Sequence, residues 1–202
     1  MLGCVRRRYD GARRGSIEAV TTSFATTQTE LFDSHSGPPG FVYQADYISA
    51  AEERALLDEI SRLKFEEARY RDYTARRRIV HWGPEDQKPE FLRPLAARIA
   101  AWLGVAPADL KQMLINEYRT GTPLGWHRDS PEYNLVAGVS LAAPCRMRFR
   151  PYPPKRGESV LDLVLAPRSA YQLCGDVRWR WQHSVPATKA LRYSITFRTL
   201  AA

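Results

Sequence analysis

Cysteine is scarce in this chain: Cys4, Cys145 and Cys174 are odd in number, widely spaced and never in a C-x-x-C pair. That spacing speaks against a disulfide framework and a zinc knuckle and fits a reducing compartment, so a cytoplasmic protein is expected. Long apolar runs are missing too. None approaches the roughly 20 residues that span a bilayer, and the opening MLGCVRRRYD carries charge where a signal peptide needs its apolar stretch. Neither membrane insertion nor secretion is expected. No internal repeat or low-complexity tract stands out, and with no heptad run a monomer is the default. Acidic residues are outnumbered, 22 against 30 basic ones, for a formal net charge of +8, and lysine is rare because 25 of the 30 are arginine. Genomic base composition alone can swap Lys for Arg. Arginine also forks onto phosphate and carboxylate in a planar geometry that lysine cannot match, so the balance favours a polyanionic partner.

What is present is ordinary globular material: 202 residues, 44% hydrophobic and 26% charged, with 12 Gly and 14 Pro. A single domain of this length buries about 70% of the surface its unfolded chain exposes, so it needs no metal merely to stay folded, and any metal is functional. Residues 1–36 are set apart by an Arg-rich start and no sustained period, and are expected to form a poorly ordered extension. An organelle transit peptide would look similar, although Asp10, Glu18 and Glu30 spoil that pattern. After the breaker SGPPG, FVYQADYI reads as a short strand and Ser49 to Glu52 as a capping box that starts a helix over 50–64. A second helix, around 90–103, carries Leu92, Leu95, Ala96, Ile99 and Leu103 on one side and stops at Gly104. From Lys111 onward, QMLINEYR, NLVAGVSLA, CRMRFR, SVLDLVLA, AYQLC, WRWQHSV and LRYSITFRTL are short β-rich runs divided by turn residues. The expected class is α+β, mainly β: residues 37–110 supply helical support and a lid, and residues 111–202 a sandwich or barrel.

Of four histidines, two stand in informative places. In GWHRDSPEYN, His127 and Asp129 are two apart, so strand alternation puts both on one face. His183 follows 54 residues later. Two histidines and a carboxylate make the facial triad that suits non-haem Fe(II) and leaves coordination positions open, while zinc with a catalytic water competes for the same donors. Alone, H-x-D is a weak signal. Near the C-terminus, alternation from Arg192 to Arg198 sets 192, 194, 196 and 198 on one face, with Tyr193, Ile195 and Phe197 on the other. Facing inward, two such arginines are costly unless they meet anions, and a dicarboxylate offers one carboxylate to each. Facing solvent, they need no partner.

The order Asn116-Glu-Tyr118, then His127-x-Asp129, then His183, then Arg192-Tyr-x-x-Thr-Phe-Arg198 resembles the AlkB family of Fe(II)- and 2-oxoglutarate-dependent dioxygenases, firmly over residues 112–199. The resemblance implies a double-stranded β-helix (jelly-roll) core supported by N-terminal helices, with His127, Asp129 and His183 as iron ligands. It implies that Arg192, helped by Tyr118, meets the distal carboxylate of 2-oxoglutarate, and that Arg198, helped by Asn116, meets the chelating end. Ser194 stands where the best-known bacterial member has Asn, and Pro131, followed by Glu132, stands where it has an acidic base contact. The implied reaction turns 2-oxoglutarate and O₂ into succinate and CO₂ and oxidises an N-methyl group that then leaves as formaldehyde.

The substrate reading is separate. Residues 69–83, RYRDYTARRRIVHWG, hold five arginines, two tyrosines and a tryptophan. Such interleaving suits a loop that grips a phosphate backbone and stacks a splayed base, and it falls where AlkB relatives carry their nucleotide-recognition lid. Arg77, Arg78 and Trp82 are the candidates there, with a solvated loop and a core tryptophan as the plain alternatives. Arg146, Arg148 and Arg150 alternate onto one strand face, making Arg148 a phosphate candidate or a solvent-facing residue; Glu132 completes the substrate set. Trp126, Trp179 and Trp181 are expected to be packing residues, and Cys145 and Cys174 inert core. The expected activity is demethylation of alkylated DNA or RNA, against three alternatives: the same chemistry on a modified tRNA base, on a protein, or a catalytically silent nucleic-acid-binding module.

Overall fold

The structure, a computed structural model, describes residues 37–69 and 74–201. The expected N-terminal extension, and residues 70–73 near the start of the arginine-rich stretch, lie outside these residues.

Strand β1 (Phe41–Gln44) leads into helix α1 (Ala50–Ser61). Ser49 starts α1 with the expected capping box: its Oγ accepts from the Glu52 N–H at 3.2 Å, and Glu52 Oε2 accepts from the Ser49 N–H at 2.8 Å. The helix stops three residues short of the expected end because the Arg62 N–H turns back to the carbonyls of Glu59 and Ile60. Strands β2 (Glu66–Arg69) and β3 (Thr74–Trp82) form a hairpin, and a 3₁₀ turn at Glu90–Leu92 opens helix α2 (Arg93–Leu103). Gly104, at φ 73°, ends α2 in the left-handed conformation that glycine adopts freely. The remaining strands are β4 (Leu110–Tyr118), β5 (Leu124–His127), β6 (Tyr133–Leu141), β7 (Cys145–Pro151), β8 (Leu161–Leu165), β9 (Ala170–Leu173), β10 (Trp181–Val185) and β11 (Arg192–Leu200). A short helix, α3 (Asp176–Arg180), precedes β10, so the first two residues of the run WRWQHSV are helical and only the rest is strand.

Two antiparallel sheets face each other in a jelly roll. The larger has the order β1-β9-β6-β11-β4-β3-β2 and the smaller β5-β10-β7-β8. The class is the expected one, with a difference in the N-terminal part: three of its strands join the large sheet at its two edges. The arginine-rich stretch expected as a loop is β3, paired to β4 from Arg78↔Glu117 to Trp82↔Met113. A run of Arg, Thr and His with Ile and Val hides a strand whose pairing partner lies far away in sequence.

Two cores follow from alternation along the central strands. On the outer face of the large sheet, Ile115, Val139, Leu141, Ile195 and Phe197 pack against Leu56 and Ile60 of α1 and Leu95 and Ile99 of α2. Between the sheets, Val136, Met147, Phe149, Leu165, Tyr171 and Val185 fill one part of the gap. Gly138 belongs to this arrangement, because a Cβ there would run into the Tyr171 ring lying across it. β11 sits between β6 and β4 with both faces covered, so its alternation sends Ile195 and Phe197 to the helices and Arg192, Ser194, Thr196 and Arg198 into the gap. Phe197 is fully buried, whereas Val164 on the outer face of the small sheet is 53% exposed. Phe197→Ala is therefore expected to lower the unfolding free energy by about 3–5 kcal/mol, and Val164→Ala by less than about 0.5, in urea titrations.

Candidate active site

The gap between the sheets holds a cavity of about 310 Å³, at the small end of the range for ligand pockets. β4 contributes Gln112, Leu114, Asn116 and Tyr118, and β11 contributes Arg192, Ser194, Thr196 and Arg198. From the other side come His127 at the end of β5 and His183 in β10, which face each other in register with ring centroids 4.2 Å apart. Asp129 lies just beyond β5 rather than in it, and the loop carries its carboxylate back into the same space.

Electrostatics at this point are ordered. Burial alone would raise the Asp129 pKa, but the Arg198 guanidinium beside it, with His183 and His127, holds the carboxyl well below the usual carboxylate range. Arg198 Nε donates to Asp129 Oδ1 at 3.0 Å, Nη2 donates to the same oxygen, and Nη1 donates to Gln112 Oε1 at 2.6 Å. Asp129 Oδ2 is left on the side of His183 Nε2, 3.7 Å away. Burial lowers the pKa of His127 and pushes that of His183 down to about 3, so both rings are neutral at pH 7, the form that binds metal. His127 Nδ1 stands 2.9 Å from the Gly125 carbonyl; donating there, it leaves Nε2 as the coordinating nitrogen. Among the described residues, no three His, Cys, Asp or Glu side chains are already drawn into a metal cage. The two imidazoles and the carboxylate are assembled as neighbours, with Oδ1 taken by Arg198.

At the opposite end, Arg192 is 2% exposed and makes no ion pair among the described residues. Its Nε donates to Ser140 Oγ at 3.2 Å, and its guanidinium carbon lies 5.0 Å from the Tyr118 ring centroid. A charge this deep, held by neutral groups, is costly unless an anion joins it. Asn116 adds a second open valence: its Oδ1 is buried and has no hydrogen-bond partner. A small dianionic ligand fits the Arg192 guanidinium, and the N, N, O donor set of His127, His183 and Asp129 fits a divalent metal beside it; Asn116 Oδ1, an acceptor, calls for a donor instead.

The sequence-derived candidates divide. Arg77 and Glu132 line the cavity with the triad and the β4 and β11 residues. Arg78, Trp82 and Arg148 are not brought there. Arg78 binds Glu117 through two hydrogen bonds of 2.8 Å on the other face of the sheet, because it is one residue out of phase with Arg77. Trp82 packs against the helix-side core. Arg148 points away from the cavity on the outer face of the small sheet, where its Nε donates to Ser184 Oγ at 3.2 Å and its guanidinium lies 5.0 Å from the Trp126 ring. Gln112, Ser140, Tyr133 and Tyr171 are cavity-side residues that the motif order did not single out. Gln112 was within reach, since it shares the period-two face of Asn116; Ser140 was not, since only tertiary pairing sets it beside Arg192.

Residues 25–198 match the 2OG-Fe(II) oxygenase superfamily, and the chain belongs to that superfamily of enzymes, which use Fe(II), 2-oxoglutarate and O₂. Within it the chain is an AlkB-family member. It is 32% identical over 193 residues to the Arabidopsis thaliana protein named Alkylated DNA repair protein ALKBH8 homolog, covering 79% of this chain and 54% of that one. To the Danio rerio Probable RNA/DNA demethylase ALKBH6 it is 26% identical over 174 residues, covering 77% and 73%. The chain thus spans about half of the Arabidopsis relative, 54%. Two solved structures share the fold: a Pseudomonas putida prolyl-4-hydroxylase, with TM-score 0.61, 15% identity and coverage of 81% and 94%, and OsALKBH1, with TM-score 0.58, 16% identity and coverage of 80% and 99%. The family match begins at residue 25, inside the stretch set apart in the sequence as an extension. No helix among the described residues is long and apolar enough to cross a membrane.

Ligand-induced stabilisation tests this cavity directly. At about 100-fold excess over the dissociation constant, Mn(II) with 2-oxoglutarate is expected to raise the melting temperature by about 5–10 °C. Asp129→Ala is expected to lose the metal-dependent part of that rise, and Arg192→Met the 2-oxoglutarate-dependent part, in anaerobic thermal-shift titrations.

Proposed function

We propose that the protein is an oxidative demethylase of N-alkylated bases in DNA or RNA, and that His127, Asp129 and His183 hold its Fe(II). The observation that supports this most is the meeting, in one cavity between the sheets, of that triad with two inward arginines on β11. Arg192, with Tyr118 beside it, receives the distal carboxylate of 2-oxoglutarate; Arg198 lies at the chelating end, and Asn116, opposite Ser194 in register, stands between the two. Ser194, 3% exposed and lining the same cavity, stands where a longer amide would reach further.

When bound, the iron with 2-oxoglutarate and O₂ supplies an oxidant able to take a hydrogen from an N-methyl carbon, the cosubstrate leaving as succinate and CO₂. The chain's own residues position and shield. Arg198 keeps Asp129 ionised and fixes one carboxylate oxygen, so the other is presented toward His183. The Gly125 carbonyl fixes the His127 ring. Val136, Met147, Leu165 and Val185 line the cavity with apolar surface that excludes water from the reacting carbon. At its exposed rim stand Arg128, Ser130 and Glu132, with the buried Arg77 behind them. These are the groups placed to meet an extruded base and its phosphate.

A second reading, hydroxylation of a modified tRNA base, is favoured by Pro131, which takes the position of the acidic base contact and leaves Glu132 one residue on, and by a Xenopus tropicalis relative named tRNA (carboxymethyluridine(34)-5-O)-methyltransferase alkbh8. That relative is 27% identical over 172 residues, and the chain spans 26% of it. Product analysis separates the readings. With Fe(II), 2-oxoglutarate and ascorbate, methylated DNA and RNA oligonucleotides are expected to give formaldehyde and succinate together, abolished by Asp129→Ala. Succinate with a retained hydroxyl on tRNA selects the second reading, and neither product from folded, iron-loaded protein overturns both.

A further inference from the structure

A second cleft, of about 330 Å³, lies against the active cavity and shares Arg128, Asp129 and Ser130 with it. Its other walls are Pro131, Tyr152, Arg178, Trp179 and Gln182. Tyr152 follows β7, and Arg178 and Trp179 lie in α3, so three separate parts of the chain converge here. The Arg128 guanidinium carbon sits 4.0 Å from the Tyr152 ring centroid, and its Nη1 donates to the Trp179 carbonyl at 3.1 Å. The Arg178 guanidinium carbon sits 4.4 Å from the Trp179 ring centroid. Arg178 is 3% exposed; its Nη2 donates to the carbonyls of Ser130 and Tyr133, while its Nε is buried with no hydrogen-bond partner.

Trp179 and Tyr152 do not behave as core. They remain 39% and 43% exposed, although each ring already has a guanidinium beside it. Trp179 thus departs from its expected packing role, in contrast to Trp181, which packs against the intersheet core. Among the described residues, the only carboxylate lining the cleft is Asp129, which is bound by Arg198, so none of them opposes a phosphate there with an unpaired anion.

We propose that this cleft is a second nucleotide subsite, taking the base and phosphate of the residue next to the target in a single-stranded stretch of nucleic acid. The proposal rests on the reading of the cavity as a site for a base in nucleic acid and extends it by one residue of polymer. A strand leaving the cavity meets residues 128–130 first, because they border both spaces. Exposed aromatic faces stack any base, and guanidinium groups take the phosphate without reading an edge, so the neighbouring position is held with little sequence preference. Phosphate binding by Arg128 also makes the affinity salt-dependent.

The test is fluorescence anisotropy of labelled single-stranded DNA and RNA tetranucleotides against wild type, Trp179→Ala, Trp179→Phe and Tyr152→Ala. Stabilisation by Mn(II) and 2-oxoglutarate serves as the folding control. Loss of one stacking face is expected to weaken binding by about tenfold or more, with Trp179→Phe recovering most of it, and with cosubstrate-induced stabilisation unchanged. Tyr152 lies on an exposed bend outside both cores, so its variant keeps the test standing if Trp179→Ala fails to fold. Binding equal to wild type in both alanine variants overturns the subsite and leaves the reading of the cavity intact. A wild type that binds neither DNA nor RNA overturns both.

Discussion

Two positive charges on one buried strand, Arg192 and Arg198 of β11, set the terms for the rest of this structure. Burying an ion costs several kcal/mol even after the protein relaxes around it, so each guanidinium has to be met. Arg198 is met inside the protein by Asp129 and Gln112. Among the described residues, Arg192 is met only by neutral groups, the Ser140 hydroxyl and the Tyr118 ring among them. The difference separates two jobs. One arginine holds a metal-ligand candidate in place, and the other is a buried cation among neutral neighbours.

The sheet architecture exists around that strand. β11 pairs along its length with β4 on one side and β6 on the other, so neither charge can move without disturbing two ladders. Its alternate residues, Ile195 and Phe197, anchor the same strand to α1 and α2. The helix-side core therefore fixes the register that aims the arginines, and the smaller sheet brings His127 and His183 opposite them. The histidine end and the Arg192 end of the cavity belong to different sheets, and the packing between the sheets sets their separation.

Much of this was legible in the sequence where a short-range period carried it. The alternation Arg192-Tyr-Ser-Ile-Thr-Phe-Arg198 shows which residues of β11 share a face, though not that the arginine face turns to the cavity, and the Ser49/Glu52 box marks the start of α1. The spacing of His127 and Asp129 predicts strand neighbours; a loop delivers Asp129, yet the two side chains still converge. The stretch 69–83 reads as a loop because its arginines mask the strand at 74–82, whose partner, β4, lies more than thirty residues on. The same register decides that Arg77 lines the cavity and Arg78 binds Glu117, a distinction that no local pattern contains. Trp82 followed its apolar surface into the core, while Trp179, expected to pack, stayed exposed because five residues of helix turn it outward.

The central claim is that one cavity binds a divalent metal at its histidine end and a dicarboxylate at Arg192. A crystal structure grown anaerobically with Mn(II) and 2-oxoglutarate tests it most directly. The account predicts one metal ion held by His127, Asp129 and His183, with the distal carboxylate of the cosubstrate on the Arg192 guanidinium. Metal bound elsewhere, or a cosubstrate that leaves Arg192 with only its neutral neighbours, would contradict it.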